Sequence, residues 1–310
     1  MGTTIVNMMR DATLPLTKVP TQETIVTADG YGIGATLFSS DIVHEAPTNS
    51  QPPKGVVIIA AAMGVSQRYY QHFGQWLSQQ GYSVLTFDYR GIGLSSPGSL
   101  RGFRTSICDW AQFDCAAVVA RARQLADNLP LYWIGHSLGG QIIGMVPNCS
   151  QITKAVTVAS GNGYWREVES RQKLKSLWMW FVAVPLALFL FDYFPGKKLR
   201  KVGDLPGGVI AQWRRWCLSP RYLFDNEGRE VIQRYADIHF PITSLSFTDD
   251  EMMTDKGIKT VHEFYRNAPQ TLKVLHPRTE GVEKIGHFGF FRRHFEDTLW
   301  PTYIIPELVA

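Results

Sequence analysis

The chain has 310 residues, 45% of them hydrophobic, which is enough for a large core and excludes a disordered composition. Its formal net charge is +4, from 31 basic and 27 acidic side chains spread along the sequence. A dedicated nucleic-acid binder would concentrate its basic residues in a stripe, so that class of protein is not expected. At this length the chain forms either two domains or one α/β core with an insertion.

The cysteines and the N-terminal residues indicate a reducing compartment. Cys108, Cys115, Cys149 and Cys217 lie far apart and form no C-x-x-C pair, so neither a zinc site nor a disulfide framework is expected. Residues 1–7 lack the basic region followed by an apolar one that is typical of a secretory signal. We therefore expect a cytoplasmic protein without a metal site.

Apolar strands and periodic helices alternate along most of the chain. The predicted strands cover residues 23–27, 34–38, 56–60, 82–87, 131–134, 155–159, 242–247 and 272–275. The predicted helices cover residues 69–80, 110–128 and 140–146. Asp29–Gly30 makes the first two strands a hairpin, and the strand–helix–strand units that follow predict parallel pairing. The expected fold class is α/β, with a mostly parallel, doubly wound sheet covered on both faces.

The segment of residues 161–240 breaks this alternation. It holds five of the nine tryptophans and the unbroken apolar stretch Leu177–Phe191. We interpret it as a helical lid inserted into a core formed by residues 1–160 and 241–310, and we call it the lid segment.

The apolar stretch of the lid segment has 15 residues and contains Pro185, so it is too short and too interrupted for a membrane span. Cations flank it on both sides: Arg171, Lys173, Lys175, Lys197, Lys198, Arg200 and Lys201. An apolar face between cations could rest on an anionic bilayer surface, as a peripheral membrane contact. The length favours the alternative, a pair of lid helices packed over the core with solvated lysines at their ends.

The pentapeptide Gly135–Gly139 (GHSLG) has the pattern of a nucleophile elbow, in which Ser137 stands on a sharp turn between a strand and a helix. Glycines two positions before and after the serine relieve crowding in a strained backbone. The apolar run before it and the small, apolar residues after it supply the strand and the helix. Without that context the pattern would be common by chance in a chain with 27 glycines.

A serine nucleophile needs a base, and the base needs an acid to orient it; in this architecture they follow the serine in the order acid, then histidine. His287, beside Gly286 and beyond the last predicted strand, is the preferred base over His136, His276 and His294. The acid follows the strand of residues 242–247, where side chains face the ligand crevice of an open α/β sheet. Asp250 is the preferred acid and Asp249 the alternative.

The oxyanion hole is expected to combine two backbone N–H groups. One is that of Leu138, at the start of the helix after the serine, and the other comes from the loop after residues 56–60. In that loop Gly64 allows a tight turn. Val65 is the preferred donor and Met63 the alternative.

Four sequence segments, taken together, resemble those of the α/β-hydrolase-fold serine hydrolases. The likeness is to the serine aminopeptidase and monoglyceride-lipase-like branch, including bacterial predicted hydrolases with a tryptophan-rich lid. It covers about residues 55–295 and rests on Phe87–Ser95 (FDYRGIGLS), the elbow, Asp249–Asp250 and Gly286–Phe288. It implies hydrolysis of an ester, thioester or amide through a covalent acyl-serine. The family usually has His-Gly in the oxyanion loop, where this chain has Met63–Gly64.

The prediction is a lidded serine hydrolase that acts on a small-molecule ester with an apolar acyl group and needs no cofactor. Ser137 attacks, His287 transfers the proton and Asp250 orients the imidazole. Three alternatives stay open: an acyltransferase with the same triad, a non-catalytic binding protein on the same fold, and a membrane-docked scaffold.

Overall fold

An eight-stranded β-sheet forms the centre of the protein, in a computed structural model that describes residues 19–40, 53–168, 170–198 and 203–309. The strands are β1 (Thr21–Val26), β2 (Gly32–Phe38), β3 (Val56–Ala60), β4 (Ser83–Phe87), β5 (Leu131–His136), β6 (Lys154–Val158), β7 (Tyr193–Phe194), β8 (Leu205–Pro206), β9 (Ile242–Phe247) and β10 (Gln270–Leu275). The order in the sheet is β1-β2-β4-β3-β5-β6-β9-β10, and β7 pairs with β8 separately. β2 is antiparallel to β1 and β4, and all the other pairs of the sheet are parallel, which confirms the predicted fold class.

Helices connect the strands and fill the chain between β6 and β9. They are α1 (Gln71–Gln79), α2 (Ile107–Asp109), α3 (Ala116–Ala126), α4 (Leu138–Gln141), α5 (Ser170–Trp178), α6 (Val184–Phe191), α7 (Gly207–Leu218), α8 (Gly228–Ala236), α9 (Asp255–His262), α10 (Gly286–Gly289) and α11 (Leu299–Tyr303). Two π-helical segments, Trp110–Cys115 and Met179–Ala183, join α2 to α3 and α5 to α6.

The adjacent parallel strands β3 and β5 bring the loops that follow them to the same edge of the sheet. β3 and β5 are buried at every residue, as parallel strands are when helices cover both faces of a sheet. From β3 the chain moves to β4 on one side and later to β5 on the other, so the strand order reverses there. Ligands of open α/β sheets bind in the crevice at such a reversal, at the carboxyl ends of the strands.

The helix after β5 is shorter than predicted. The sequence predicts a helix over residues 140–146, but α4 ends at Gln141. The carbonyl oxygen of Gly140 accepts a hydrogen bond from the Tyr265 hydroxyl at 3.3 Å, and that of Gln141 accepts one from the Tyr235 hydroxyl. Because two buried tyrosines bind carbonyls that a longer helix would use internally, the helix stops after one turn.

In the lid segment α5 and α6 form one continuous helix through the π-helical segment, and this helix packs against α7 through Trp180 and Trp213, whose ring centroids are 5.1 Å apart. Lys173–Phe191 is 19 residues long and, by length and composition alone, apolar enough to cross a membrane, and 17% of its apolar window of 18 residues is buried. Pro185 is tolerated at the start of α6, after the π-helical segment. The carbonyl oxygen of Trp180 in that segment accepts a hydrogen bond from Arg214 Nε at 2.5 Å.

Some of the residues used in the sequence predictions lie outside the described residues. These are residues 1–7 and the flanking cations Arg200 and Lys201.

Glu307 ties the C-terminal part of the chain to three strands. Its Oε2 accepts hydrogen bonds from Thr243 Oγ1 at 2.7 Å and from Lys154 Nζ at 2.8 Å, and its Oε1 lies 2.6 Å from Lys273 Nζ. Burial raises the pKa of Glu307, but the hydrogen bonds from Lys154, Lys273 and Thr243 outweigh it and lower the pKa to about 2.

Glu307→Gln should lower the free energy of unfolding at pH 7 by about 1–3 kcal/mol, because two lysines lose a charged acceptor. The folded-state pKa lies below the ordinary 4.5, so the carboxylate stabilises the fold above that value and this stabilisation is lost as the pH falls from 4.5 toward 2. Urea unfolding at pH 7, 4 and 3 should therefore show wild type and variant converging. Glu296→Gln, at an exposed ion pair with Arg293, is the control, and a difference that stays constant down to pH 3 would contradict the prediction.

Candidate active site

The backbone at Ser137 is strained. Its φ of 51° with ψ of −112° is a conformation that L-residues rarely adopt. The Ser137 N–H donates to the carbonyl oxygen of Val158 in β6 at 2.8 Å. A Cβ at Gly139 would lie 2.2 Å from the Ala60 carbonyl oxygen, and one at Gly135 would collide with the backbone of the following turn. The turn between β5 and α4 thus has the geometry of the predicted elbow, and only glycine fits at its two ends.

The imidazole of His287, in α10, lies against the carboxylate of Asp250. Nδ1 is 2.9 Å from Oδ2 and 3.1 Å from Oδ1, and both side chains are buried. Because a carboxylate only accepts, Nδ1 carries the proton and Nε2 keeps its lone pair. Asp250 Oδ1 also accepts the N–H groups of Met252 at 2.7 Å and Met253 at 2.9 Å, which fix the carboxylate in place.

The three adjacent acids have three different partners. Asp250 contacts the imidazole, whereas Asp249 Oδ2 accepts the backbone N–H groups of residues 285 and 286 at 2.9 and 3.0 Å. Glu251 Oε2 accepts the N–H of His287 itself at 3.2 Å. Asp249 and Glu251 therefore hold the loop that carries the histidine, and only Asp250 holds its ring.

A chain of hydrogen bonds that the sequence did not indicate joins the β3 loop to His287. The Ala62 N–H donates to the Tyr70 hydroxyl oxygen at 3.0 Å, and that hydroxyl lies 2.8 Å from His136 Nδ1. His136 Nε2 lies 2.9 Å from the carbonyl oxygen of His287, which only accepts, so Nε2 carries the proton and Tyr70 donates to Nδ1. Burial, then the nearby His287, lowers the pKa of His136 well below its ordinary value, so the ring is neutral.

The loop after β3 corrects the prediction for the second oxyanion donor. Leu138 is the first residue of α4, so its N–H has no acceptor within the helix. The Val65 N–H, the predicted second donor, donates to the carbonyl oxygen of Ala62 at 3.1 Å and closes a turn. The N–H of Met63, the alternative, has no acceptor within the described part of the chain, and Met63 is buried.

The other candidate bases are exposed. His276 and His294 both face solvent, and His276 Nδ1 accepts the Arg278 N–H at 3.1 Å. Within the described ranges, no group of three or more His, Cys, Asp or Glu side chains is placed to hold a metal ion.

Comparisons with known proteins relate the chain to serine hydrolases. The model of the family described as serine aminopeptidase, S33, matches residues 51–191. A monoacylglycerol lipase of Mycolicibacterium smegmatis is 32% identical over 104 residues, 33% of this chain and 35% of that protein. The match thus spans about a third of the lipase.

Two solved structures share the fold. A soluble variant of monoglyceride lipase from Saccharomyces cerevisiae, in complex with a substrate analogue, aligns with a TM-score of 0.61 at 20% identity, over 85% of this chain and 88% of that chain. A carboxyl esterase from Bacillus coagulans in complex with glycerol aligns with a TM-score of 0.61 at 13% identity, over 94% of this chain and all of that chain.

Tyr70→Phe should lower the free energy of unfolding by about 1–3 kcal/mol, because the Ala62 N–H and His136 Nδ1 both lose their buried partner. Urea unfolding at pH 7 measures it. Tyr303→Phe is the control, since its hydroxyl bonds Glu280 at a half-buried position, and it should change the stability less. Equal stability of Tyr70→Phe and wild type would show that the hydrogen-bond chain contributes nothing.

Proposed function

We propose that this chain, a member of the α/β-hydrolase family, cleaves a carboxylic ester or thioester of an apolar acyl group through an acyl-serine formed on Ser137. The proposal rests on one observation above all, the buried hydrogen bond between Asp250 and His287. The pair is linked to the elbow, since His136 Nε2 donates to the carbonyl oxygen of His287 at 2.9 Å and His136 directly precedes Ser137 in the chain.

In this mechanism the Oγ of Ser137 attacks the ester carbonyl carbon while His287 Nε2 takes its proton. The Leu138 and Met63 N–H groups stabilise the oxyanion. As the tetrahedral intermediate collapses, the C–O bond to the alcohol breaks and His287 protonates the leaving oxygen. A water molecule, deprotonated by His287, then attacks the acyl-serine; the bond from the acyl carbon to Ser137 Oγ breaks, His287 returns the proton to Oγ, and the acid is released. Asp250 holds the imidazole in the required tautomer throughout.

The names of the relatives support an apolar acyl group. The reacting groups themselves are buried, with Ser137 6% exposed and His287 1% exposed. The named relatives are lipases and esterases, among them monoacylglycerol and monoglyceride lipases.

We also propose that the outer face of the helix α5–α6 rests on an anionic lipid surface. Six large side chains form a stripe along it and are 48% to 86% exposed: Leu174, Trp178, Phe181, Val182, Leu186 and Phe189. Successive members are three or four residues apart, except for the adjacent Phe181 and Val182, and this spacing puts them on one side of the helix. A contiguous apolar patch of this kind marks an interaction surface in a soluble protein.

The charges around this face favour lipid headgroups as its partner. Lys173 and Lys175 are exposed at one end of the helix, and Lys197 and Lys198 are exposed beyond its other end. Cations beside an apolar face attract anionic headgroups while the apolar side chains enter the interface.

Ser137→Ala, His287→Ala and Asp250→Asn should each lower kcat for p-nitrophenyl esters by about 10³-fold or more, because each removes one member of the triad. Ser137→Ala should also abolish labelling by a fluorophosphonate probe, measured by intact mass. Asp249→Asn is the matched control, since its amide oxygen can still accept the two loop N–H groups, and it should lose far less activity. Labelling of Ser137→Ala at the wild-type level would refute the mechanism.

The double variant Leu186→Glu/Phe189→Glu should bind vesicles of phosphatidylglycerol and phosphatidylcholine at least about tenfold more weakly than wild type, because it replaces apolar area that enters the interface. Sedimentation with the vesicles measures this binding. The control is Val274→Glu, in β10, where the valine is 54% exposed, with thermal unfolding to check that each variant is folded. Equal binding of all three proteins, or no binding of wild type, would overturn the lipid contact.

A further inference from the structure

We propose that Gly203, in the lid segment, is a positioning residue for the oxyanion hole: its N–H orients the β3 loop so that the Met63 N–H faces the reacting carbonyl. The inference rests on the proposed hydrolase function, and it adds a role for a residue that touches neither the triad nor the substrate.

The first step is a hydrogen bond between the lid segment and the β3 loop. The Gly203 N–H donates to the carbonyl oxygen of Gly64 at 3.1 Å. The approach is close, because a Cβ at Gly203 would lie 2.4 Å from that oxygen. Gly64 itself has a φ of 69°, so this position is a turn that glycine adopts freely.

The second step follows from the planarity of the peptide bond, which points C=O and N–H in opposite directions. Holding the Gly64 carbonyl turns the Val65 N–H the other way, toward the Ala62 carbonyl, to which it donates at 3.1 Å. Holding the Ala62 carbonyl in turn directs the Met63 N–H away from the Val65 turn. The hydrogen bonds Gly203–Gly64 and Val65–Ala62 thus couple the position of Gly203 to the direction of the Met63 N–H.

The third step concerns the groups that hold the peptides next to Ala62 and Gly64. The Ala61 carbonyl oxygen accepts the Tyr89 hydroxyl at 3.3 Å, and the Ala62 N–H donates to Tyr70 at 3.0 Å. The peptide before Ala62 is therefore held by side chains of the core. On the other side, the hydrogen bond to Gly64 comes from the lid segment.

The lid segment is also hydrogen-bonded to α4, the helix that carries the other oxyanion donor, the Leu138 N–H. The Trp213 Nε1–H donates to the Tyr222 hydroxyl at 2.9 Å, and that hydroxyl donates to Gln141 Oε1 at 3.0 Å. Gln141 is the last residue of α4, whose first N–H is that of Leu138. Both elements that carry the donors are thus hydrogen-bonded to the lid segment.

Gly203→Ala tests the role of Gly203. The added Cβ displaces the Gly64 carbonyl, so kcat for a p-nitrophenyl ester should fall about 100-fold, the effect of one lost donor, with KM changed less than about threefold. A trifluoromethyl ketone with the same acyl chain forms a tetrahedral oxyanion on the serine and should bind more weakly by the same factor as kcat. A non-reactive ether analogue, which forms no oxyanion, should bind as it does to wild type.

Gly208→Ala is the matched control. It lies in the same lid segment, and its added Cβ would lie 2.2 Å from the carbonyl oxygen of Thr105, away from the β3 loop. It should lower the melting temperature without a selective loss of ketone binding. If Gly203→Ala does not fold, glycolate in place of Gly203 removes the N–H without adding atoms, and it should reproduce the loss.

The outcomes separate the two proposals. Wild type without esterase activity and without fluorophosphonate labelling would refute the hydrolase function. Active wild type, with Gly203→Ala or the glycolate variant at wild-type kcat and ketone affinity, would refute the role of Gly203 and leave the hydrolase function standing. Equal losses in Gly203→Ala and Gly208→Ala would assign the effect to general damage of the lid segment, and would also refute that role.

Discussion

The positive φ of Ser137 is the constraint on which the rest of the site depends. A strained residue of this kind costs on the order of 1–3 kcal/mol and persists only where its surroundings over-determine it. Two central strands do so here. β6 accepts the Ser137 N–H through Val158, and the end of β3 occupies the space that a side chain at Gly139 would need. Because β3 also leads into the loop of Met63, the contact that holds the serine also places that loop beside it.

The sequence predicts the sheet, the elbow and the histidine because each is a local pattern: apolar runs, glycines at fixed offsets, a histidine after the last strand. It does not separate residues that share one pattern. Asp250 and its neighbouring acid carry the same local signal, and a turn that directs one carboxylate to the imidazole distinguishes them. Val65 and Met63 lie in the same short loop, and the sequence preferred Val65, whose N–H the structure shows bonded to the Ala62 carbonyl oxygen. Tyr70 has no signal, since nothing in the sequence indicates that its hydroxyl bonds both the Ala62 N–H and the distant His136 Nδ1.

The lid helix shows a different limit of sequence reasoning. A fully apolar stretch predicts burial, and Pro185 predicts a break. Neither pattern contains information on how much of the core surface is available to cover the helix. The structure buries one side, through Trp180 and its neighbours, and leaves the other in solvent. The π-helical segment and the Arg214 side chain accommodate the proline without ending the helix.

These two sides of the lid helix link the proposed lipid contact to the proposed chemistry. Trp180, on the inner side, packs edge-on against Trp213 at 5.1 Å, and Trp213 begins the hydrogen bonds that end at α4. A lid segment that lifts from the core would break these bonds and the bond of Gly203 together, because all of them start on the lid. The arrangement in the structure keeps these bonds, and donors that are held in a buried site of low dielectric stabilise an oxyanion most strongly.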